Sequence, residues 1–173
     1  MAINETWLRP GEEGRAPSVP GYRLRHTPRP NSVRGGRGGG VGFYIKNGVK
    51  VQTRSHPLLS EVEQYWLSIN IAGKKVLVGT AYRPPWMFTD KFLDGLTDSI
   101  GALAPFDHII LLGNFNINML DGCCANTTKL QQFLHYTNMS QVVNTATHFI
   151  GNSGTLIDVI CTDMTMRNIV VQP

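Results

Sequence analysis

The run HIILLG at 108–113 constrains the fold more than any other feature of this chain. It is nearly continuous in apolar character and closes on a glycine. That is too short for a helix and the right length for a strand buried on both faces. Such a strand needs a layer packed on each side, and the residues that follow it emerge at an exposed strand end.

The rest of the chain supplies those layers. VGFYIK at 41–46 and VKVQT at 49–53 flank Asn47-Gly48, a strong hairpin signal, and EQYWLSINI and KKVLVGTAY follow. In the third of these runs Tyr65, Leu67, Ile69 and Ile71 alternate with Trp66, Ser68 and Asn70, a period of two whose apolar face should meet the core. Helical spacing appears in FTDKFLDGLTDSIGAL, where Phe92, Leu96, Ile100 and Leu103 form a stripe and Thr89 is placed to cap. A second helix is expected over TTKLQQFLHYTNM, with Leu130, Phe133, Leu134 and Thr137 on one stripe. Strand-like QVV, THFI, TLIDVICT and RNIVV come after it. This order predicts an α/β protein in which helices cover mixed sheets that stack on each other. By contrast, residues 9–40 are dominated by Pro, Gly and Arg and are expected to form one long surface loop.

With 173 residues and 42% hydrophobic content, one domain over 1–173 is the expectation, and 16% charged residues argue against disorder over most of it. Charge is unevenly spread. Residues 1–56 hold ten Lys/Arg against three Asp/Glu, whereas 57–173 hold six against nine. An Arg-rich segment beside an acidic body suits a polyanion held near a carboxylate-lined metal site, and suits a basic surface loop equally well. Cys123, Cys124 and Cys161 fit no zinc or redox spacing, so free thiols in a reducing compartment are expected. No window approaches the roughly 18 apolar residues of a membrane span, and no signal-like leader is present. An intracellular setting, nuclear or cytoplasmic, follows as the expectation.

Four segments place a polar residue at the end of a β-type run: INETW near Glu5, TAYRPP near Tyr82, GNFNIN at 113–118 and TLIDVI near Asp158. Strand ends are where α/β folds assemble sites. Taken singly, a Glu before Trp or an Asp in a strand is more often a hydrogen-bonded structural residue than a catalytic one.

Taken in order, NETWLRPG, GYRLRHTPRP with RGGRGGGVGFYI, EVEQYWLSI, VLVGTAYRPP, DHIILLGNFNIN and THFIGNSGTLIDVICTD make the chain resemble the endonuclease/exonuclease/phosphatase superfamily. Within it the resemblance is to the endonuclease domains of non-LTR retrotransposons, relatives of the apurinic/apyrimidinic endonucleases. It implies a four-layer sandwich of two packed mixed sheets flanked by helices, here lacking the family's first and last strands. It also implies DNA as substrate, Mg²⁺ or Mn²⁺ as cofactor, and a reverse transcriptase domain in the intact parent polyprotein. Glu5 matches the metal-binding glutamate of the family's ET motif, a role suited to a hard cation. Tyr82 matches the tyrosine that contacts substrate phosphate. Asn116 matches the asparagine that helps hold the attacked phosphate and the water. Asp158 matches an aspartate that orients a histidine. Arg34, Arg37 and Arg83 are the residues expected to grip nucleic-acid phosphates.

The chain departs from the pattern in three places. The family's GDFN reads GNFN, so Asn114 stands where an aspartate would activate or orient water, and a neutral amide cannot take that proton. Positioned bases typically contribute about 10²–10⁴-fold, so turnover should be impaired. The Ser-Asp-His motif is absent from the 173 residues, and His148 in THF belongs to a different family segment and reads as structural. No counterpart is found for the family's opening strand, so metal binding should be weak. RGGRGGG reads as a loop whose arginines touch phosphates, as an RGG-type RNA tract, or as a linker. Three functions therefore stand beside one another: an impaired endonuclease-like domain, a non-catalytic nucleic-acid-binding remnant, and the inert product of a decayed reading frame. A phosphatase of the same superfamily lacks sequence support.

Overall fold

A computed structural model describes residues 1–29, 38–55 and 61–165. Two sheets pack face to face. The small one is built from β1 (Ala2–Asn4), β2 (Tyr22–Thr27) and β3 (Val41–Lys46) in the order β1-β3-β2, all antiparallel. The large one contains β4 (Gln52–Arg54), β5 (Glu63–Ile71), β6 (Lys74–Tyr82), β7 (His108–Asn114), β8 (Ser140–Gln141) and β11 (Asp158–Thr162). Its order is β4-β5-β6-β7-β11-β8, and β6 and β7 are parallel while the other pairs are antiparallel. A separate hairpin joins β9 (His148–Ile150) to β10 (Ser153–Thr155).

HIILLG is the inner strand β7, as its composition demands. Ile109 and Leu111 face the helices, while Leu112 packs into the gap between the sheets. The parallel neighbours β6 and β7 are joined by α1 (Thr89–Leu103), whose Phe92, Leu96 and Leu103 are buried with Ile100 packed beside them. Thr89 does not cap this helix. Phe88 occupies the N-cap position, and Thr89 is the first helical residue and is buried. The second helix, α2 (Ala125–Tyr136), sets Leu130, Phe133 and Leu134 into the same apolar cluster.

Both faces of β5 are covered, which the alternation alone did not show. Tyr65 and Leu67 pack against Phe43 and Ile45 of the small sheet. Trp66, fully buried, enters the helix-side core, where its indole N–H donates to Gln64 Oε1 at 2.7 Å. Gly79 lies opposite it in register, and a Cβ there would run into the indole ring.

Three other expectations change. Residues 22–27, inside the segment expected to be loop, form β2, because Leu24 and its neighbours pair with β3 along six residues. Asn47-Gly48 makes a turn closed by Val49 N–H to Lys46 O at 3.1 Å, but the strands on either side enter different sheets, so it is a crossover and no hairpin. Val49 and Val51 help fill the gap between those sheets. Among the described residues both α-helices flank the large sheet. The outer face of the small sheet is covered by irregular chain, where the Tyr44 hydroxyl donates to Pro17 O at 2.6 Å. Within residues 9–21, rich in proline and glycine, the chain makes one short 3-10 turn, Glu13–Arg15, and no α-helix. The strand expected over RNIVV lies outside the described residues. No helix among those described is long and apolar enough to cross a membrane.

Candidate active site

The register of the large sheet brings three of the expected site residues into one row. Glu63 pairs with Tyr82, Tyr82 with Asn114, and Asn114 with Asp158. Register partners share a face, so the row Glu63, Tyr82, Asn114, Asp158 crosses four neighbouring strands at one end of the sheet, on the side of the small sheet. Glu5 joins it from the small sheet, at the residue after β1. The Tyr82 hydroxyl donates to Glu5 Oε1 at 2.9 Å. Burial, then the Glu5 carboxylate it bonds, pushes the Tyr82 phenol up to about 12. It is therefore a neutral hydrogen-bond donor throughout the physiological range.

Asn114 is held through both side-chain atoms and its backbone. Its amide Nδ2 donates to Asp158 Oδ1 at 2.9 Å, its Oδ1 accepts from Asn116 N–H at 3.2 Å, and its backbone N–H donates to Asn4 Oδ1 at 3.0 Å. Asn116 has a left-handed backbone, φ 48°, and its amide donates to Arg83 O at 2.8 Å. Asp158 is fixed through its backbone, whose N–H donates to Thr147 Oγ1 at 3.1 Å. The partner of the Asp158 side chain is thus Asn114, and no histidine is bonded to it among the described residues. His148 is exposed on β9.

Arg83, expected to grip a phosphate, turns its side chain inward. Arg83 is only 5% exposed, and its guanidinium donates to Phe115 O at 2.6 Å, Met87 O at 2.5 Å and Asn116 O at 2.6 Å. Burial lowers its pKa from the ordinary arginine value. It is a tie between the loops that follow β6 and β7, with Nε and both terminal nitrogens each bonded to a carbonyl. Arg34 and Arg37 lie outside the described residues.

Several residues of the site were missed in the sequence. The Asn4 amide donates to Thr80 Oγ1 at 3.2 Å and Ala81 O at 3.3 Å while its Oδ1 holds the Asn114 backbone, so it stitches β1 to β6 and β7. Glu63, 1% exposed, accepts from Arg29 Nε at 2.6 Å and from Gly40 N–H at 2.6 Å. A signal existed for it, since a charged residue sits in phase with Tyr65, Leu67 and Ile69 on an apolar face. Gly113 is required by close approach, because a Cβ would strike Ala81 O on the neighbouring strand. Gly113→Ala is expected to cost about 3 kcal/mol through overpacking against backbone that cannot yield. A denaturant midpoint close to that of the unaltered protein would show that β6 and β7 part more readily than their pairing implies.

For a divalent cation the donor set is sparse. No three His, Cys, Asp or Glu side chains converge among the described residues. Glu5 offers one exposed carboxylate, and Mg²⁺ commonly accepts one or two carboxylates, with waters and substrate phosphate oxygens completing its shell. The residues present fit a cation held in that minimal way.

No protein-family model and no curated protein matches the sequence. In three dimensions the chain is similar to the endonuclease domain of TRAS1, a telomere-specific non-LTR retrotransposon, with 14% identity and a TM-score of 0.64 over 83% of this chain and 65% of that one. It is similar also to an endonuclease/exonuclease/phosphatase family protein from Leptotrichia buccalis, at 12% identity and a TM-score of 0.59 over 83% of this chain and 59% of that one. A third likeness is to ANGEL2, a 2′,3′-cyclic phosphatase, at 13% identity and a TM-score of 0.53 over 82% of this chain and 63% of that one. The fold is that of the endonuclease/exonuclease/phosphatase type, and the retrotransposon endonuclease TRAS1 is among the structures that share it. The chain spans less than two thirds of each of these structures, and such a fold hosts more than one chemistry.

Proposed function

We propose that residues 1–173 form one endonuclease-like unit of a non-LTR retrotransposon, of the kind that nicks DNA to prime reverse transcription, and that Asn114 leaves its turnover impaired. The observation that supports this most is the Tyr82, Asn114, Asp158 row with Glu5 bonded to its Tyr82 end. Residues far apart in sequence, picked out by motif, meet at one end of one sheet.

Hydrolysis of a phosphodiester needs a deprotonated water, in-line geometry and compensation of charge on the phosphate. Asn116 is a neutral donor suited to a phosphate oxygen, and Tyr82 becomes a second one when its hydroxyl turns from Glu5 to the substrate. Glu5 would hold Mg²⁺ or Mn²⁺, which when bound neutralises charge developing on the phosphate. The weak point is proton removal. Asn114 presents an amide already committed to Asp158 and Asn116, and neither of its atoms takes up a proton. Nucleic acid is the partner favoured by the excess of seven positive charges over residues 1–56, with Arg34 and Arg37 in the segment between β2 and β3. A reverse transcriptase domain in the same polyprotein and an intracellular site of action, nuclear or cytoplasmic, belong to the same proposal.

The test is Mg²⁺-dependent nicking of supercoiled plasmid by the full chain and by Glu5→Ala, with DNA binding followed at two salt concentrations. Slow nicking that disappears in Glu5→Ala, with binding that weakens as salt rises, is the expected result. Salt-sensitive binding with no nicking would establish a non-catalytic nucleic-acid-binding remnant instead. Loss of both would overturn the proposal, and nicking undiminished in Glu5→Ala would remove Glu5 from the site.

A further inference from the structure

Burying a carboxylate is costly unless it is paired and fully hydrogen-bonded, and an apolar residue would satisfy the Glu63 position on β5 as far as the sheet is concerned. Both of its oxygens are used, and both partners border the Arg-rich segment: Arg29 precedes it and Gly40 follows it. The Gly40 and Gly39 carbonyls in turn accept the backbone N–H groups of Thr6 and Trp7 at 3.1 and 3.0 Å. These glycines leave no room for a side chain. A Cβ on Gly39 would meet Glu63 and Arg29, and one on Gly40 would meet Thr6 Oγ1.

Glu5 lies between two anchors. Before it, Asn4 is bonded to β6 and β7; after it, Thr6 and Trp7 hang from Gly40 and Gly39. Glu5 and Trp7 have φ of 54° and 58°, left-handed values that non-glycine residues hold only where the surroundings impose them. The restraint on the far side of Glu5 traces through the glycines to Glu63.

We propose that the buried Arg29–Glu63 pair is a positioning device for Glu5, fixing the Gly39–Gly40 backbone so that the Glu5 carboxylate is held against Tyr82, and tethering both ends of the Arg-rich segment at the same site. The pair touches neither cation nor substrate. Its link to cation binding rests on the proposal that Glu5 is the cation's carboxylate; its link to the Glu5–Tyr82 contact does not.

The experiment is a double-mutant cycle between Glu5→Gln and Tyr82→Phe, read from denaturant melts of the full chain. It is repeated in Glu63→Gln and in Gly40→Ala, with Mn²⁺ binding followed by electron paramagnetic resonance throughout. In the unaltered background a hydrogen bond to a carboxylate should couple the two sites by about tenfold in the folded-to-unfolded ratio. In either altered background the coupling should fall within about twofold of none. Mn²⁺ affinity should drop about tenfold, towards that of Glu5→Gln, as when a group that orients a metal ligand is removed. Should Glu63→Gln fail to fold, Arg29→Gln takes its place, since it removes the other member of the pair and leaves the Gly40 N–H its acceptor on Glu63. Lower stability with coupling and Mn²⁺ affinity both intact would overturn the proposal and leave the pair a packing element. Loss of coupling in a protein that never binds Mn²⁺ would uphold the positioning role and refute only the cation at Glu5.

Discussion

Arg83→Met is expected to destabilise the protein by about 3 kcal/mol or more, a larger loss than a phosphate-gripping surface arginine would give. Three carbonyls, on the buried Met87 and Phe115 and the half-buried Asn116, depend on this guanidinium. Each left unpaired costs about 1–3 kcal/mol, and methionine offers them nothing. Two of the three belong to the loop that carries Asn116, while the Arg83 carbonyl itself receives the Asn116 amide. The defect should therefore reach the site. Arg83→Lys should recover little, because a single ammonium cannot reproduce the planar fork that meets three acceptors. Urea melts measure the loss, and amide resonances of 114–118 report whether the loop shifts. A variant with unchanged melts that lost only its salt-dependent DNA affinity would return Arg83 to the nucleic-acid surface.

The segments that form the row were easier to pick out in the sequence than the parts that hold them together. Tyr82, Asn114 and Asp158 stand at strand ends marked by abrupt changes from apolar to polar, so their segments were legible, and the register of β6, β7 and β11 brings them together. What stayed hidden depends on long-range geometry. Arg83 follows Tyr82 in a motif suggestive of phosphate binding, and nothing local reveals that its side chain turns inward to carbonyls 4 and 33 positions away. Likewise Arg29 reads as one more basic residue in a Pro/Gly/Arg stretch until β2 and β5 come together and Glu63 meets it. The Asn47-Gly48 signal was correct about the turn and wrong about its partners. A turn sets local direction, whereas the choice of sheet was made by Val49 and Val51 finding the gap between the sheets.

Asn114→Asp should separate the two halves of the proposed function, because it restores a carboxylate and creates an electrostatic conflict in the same step. The Asn114 amide lies 2.9 Å from Asp158 Oδ1, so a carboxylate in its place faces a second carboxylate at hydrogen-bond distance. Two such groups cannot both ionise freely, and one folded-state pKa must rise above the unfolded aspartate value of about 3.9. The sign follows from proton binding. The folded variant retains a proton that the unfolded chain gives up, so its stability is greatest in acid and declines as pH rises from the unfolded value through the raised one. At neutral pH the deficit relative to the unaltered protein should be about 2 kcal/mol, shrinking towards zero in mild acid, since a tenfold gain in proton affinity on folding corresponds to about 1.4 kcal/mol. A divalent cation reverses that conflict if it binds beside Glu5 and reaches the pair. Mg²⁺ should then raise the melting temperature of Asn114→Asp at neutral pH and leave the unaltered chain nearly unmoved, and plasmid nicking should increase by about 10²–10⁴-fold if the missing proton acceptor is the main defect. Melts that follow pH as expected but ignore Mg²⁺, together with unchanged nicking, would mean that the amide was compensating for a cation site already lost, and that the row now serves to hold β7 and β11 together.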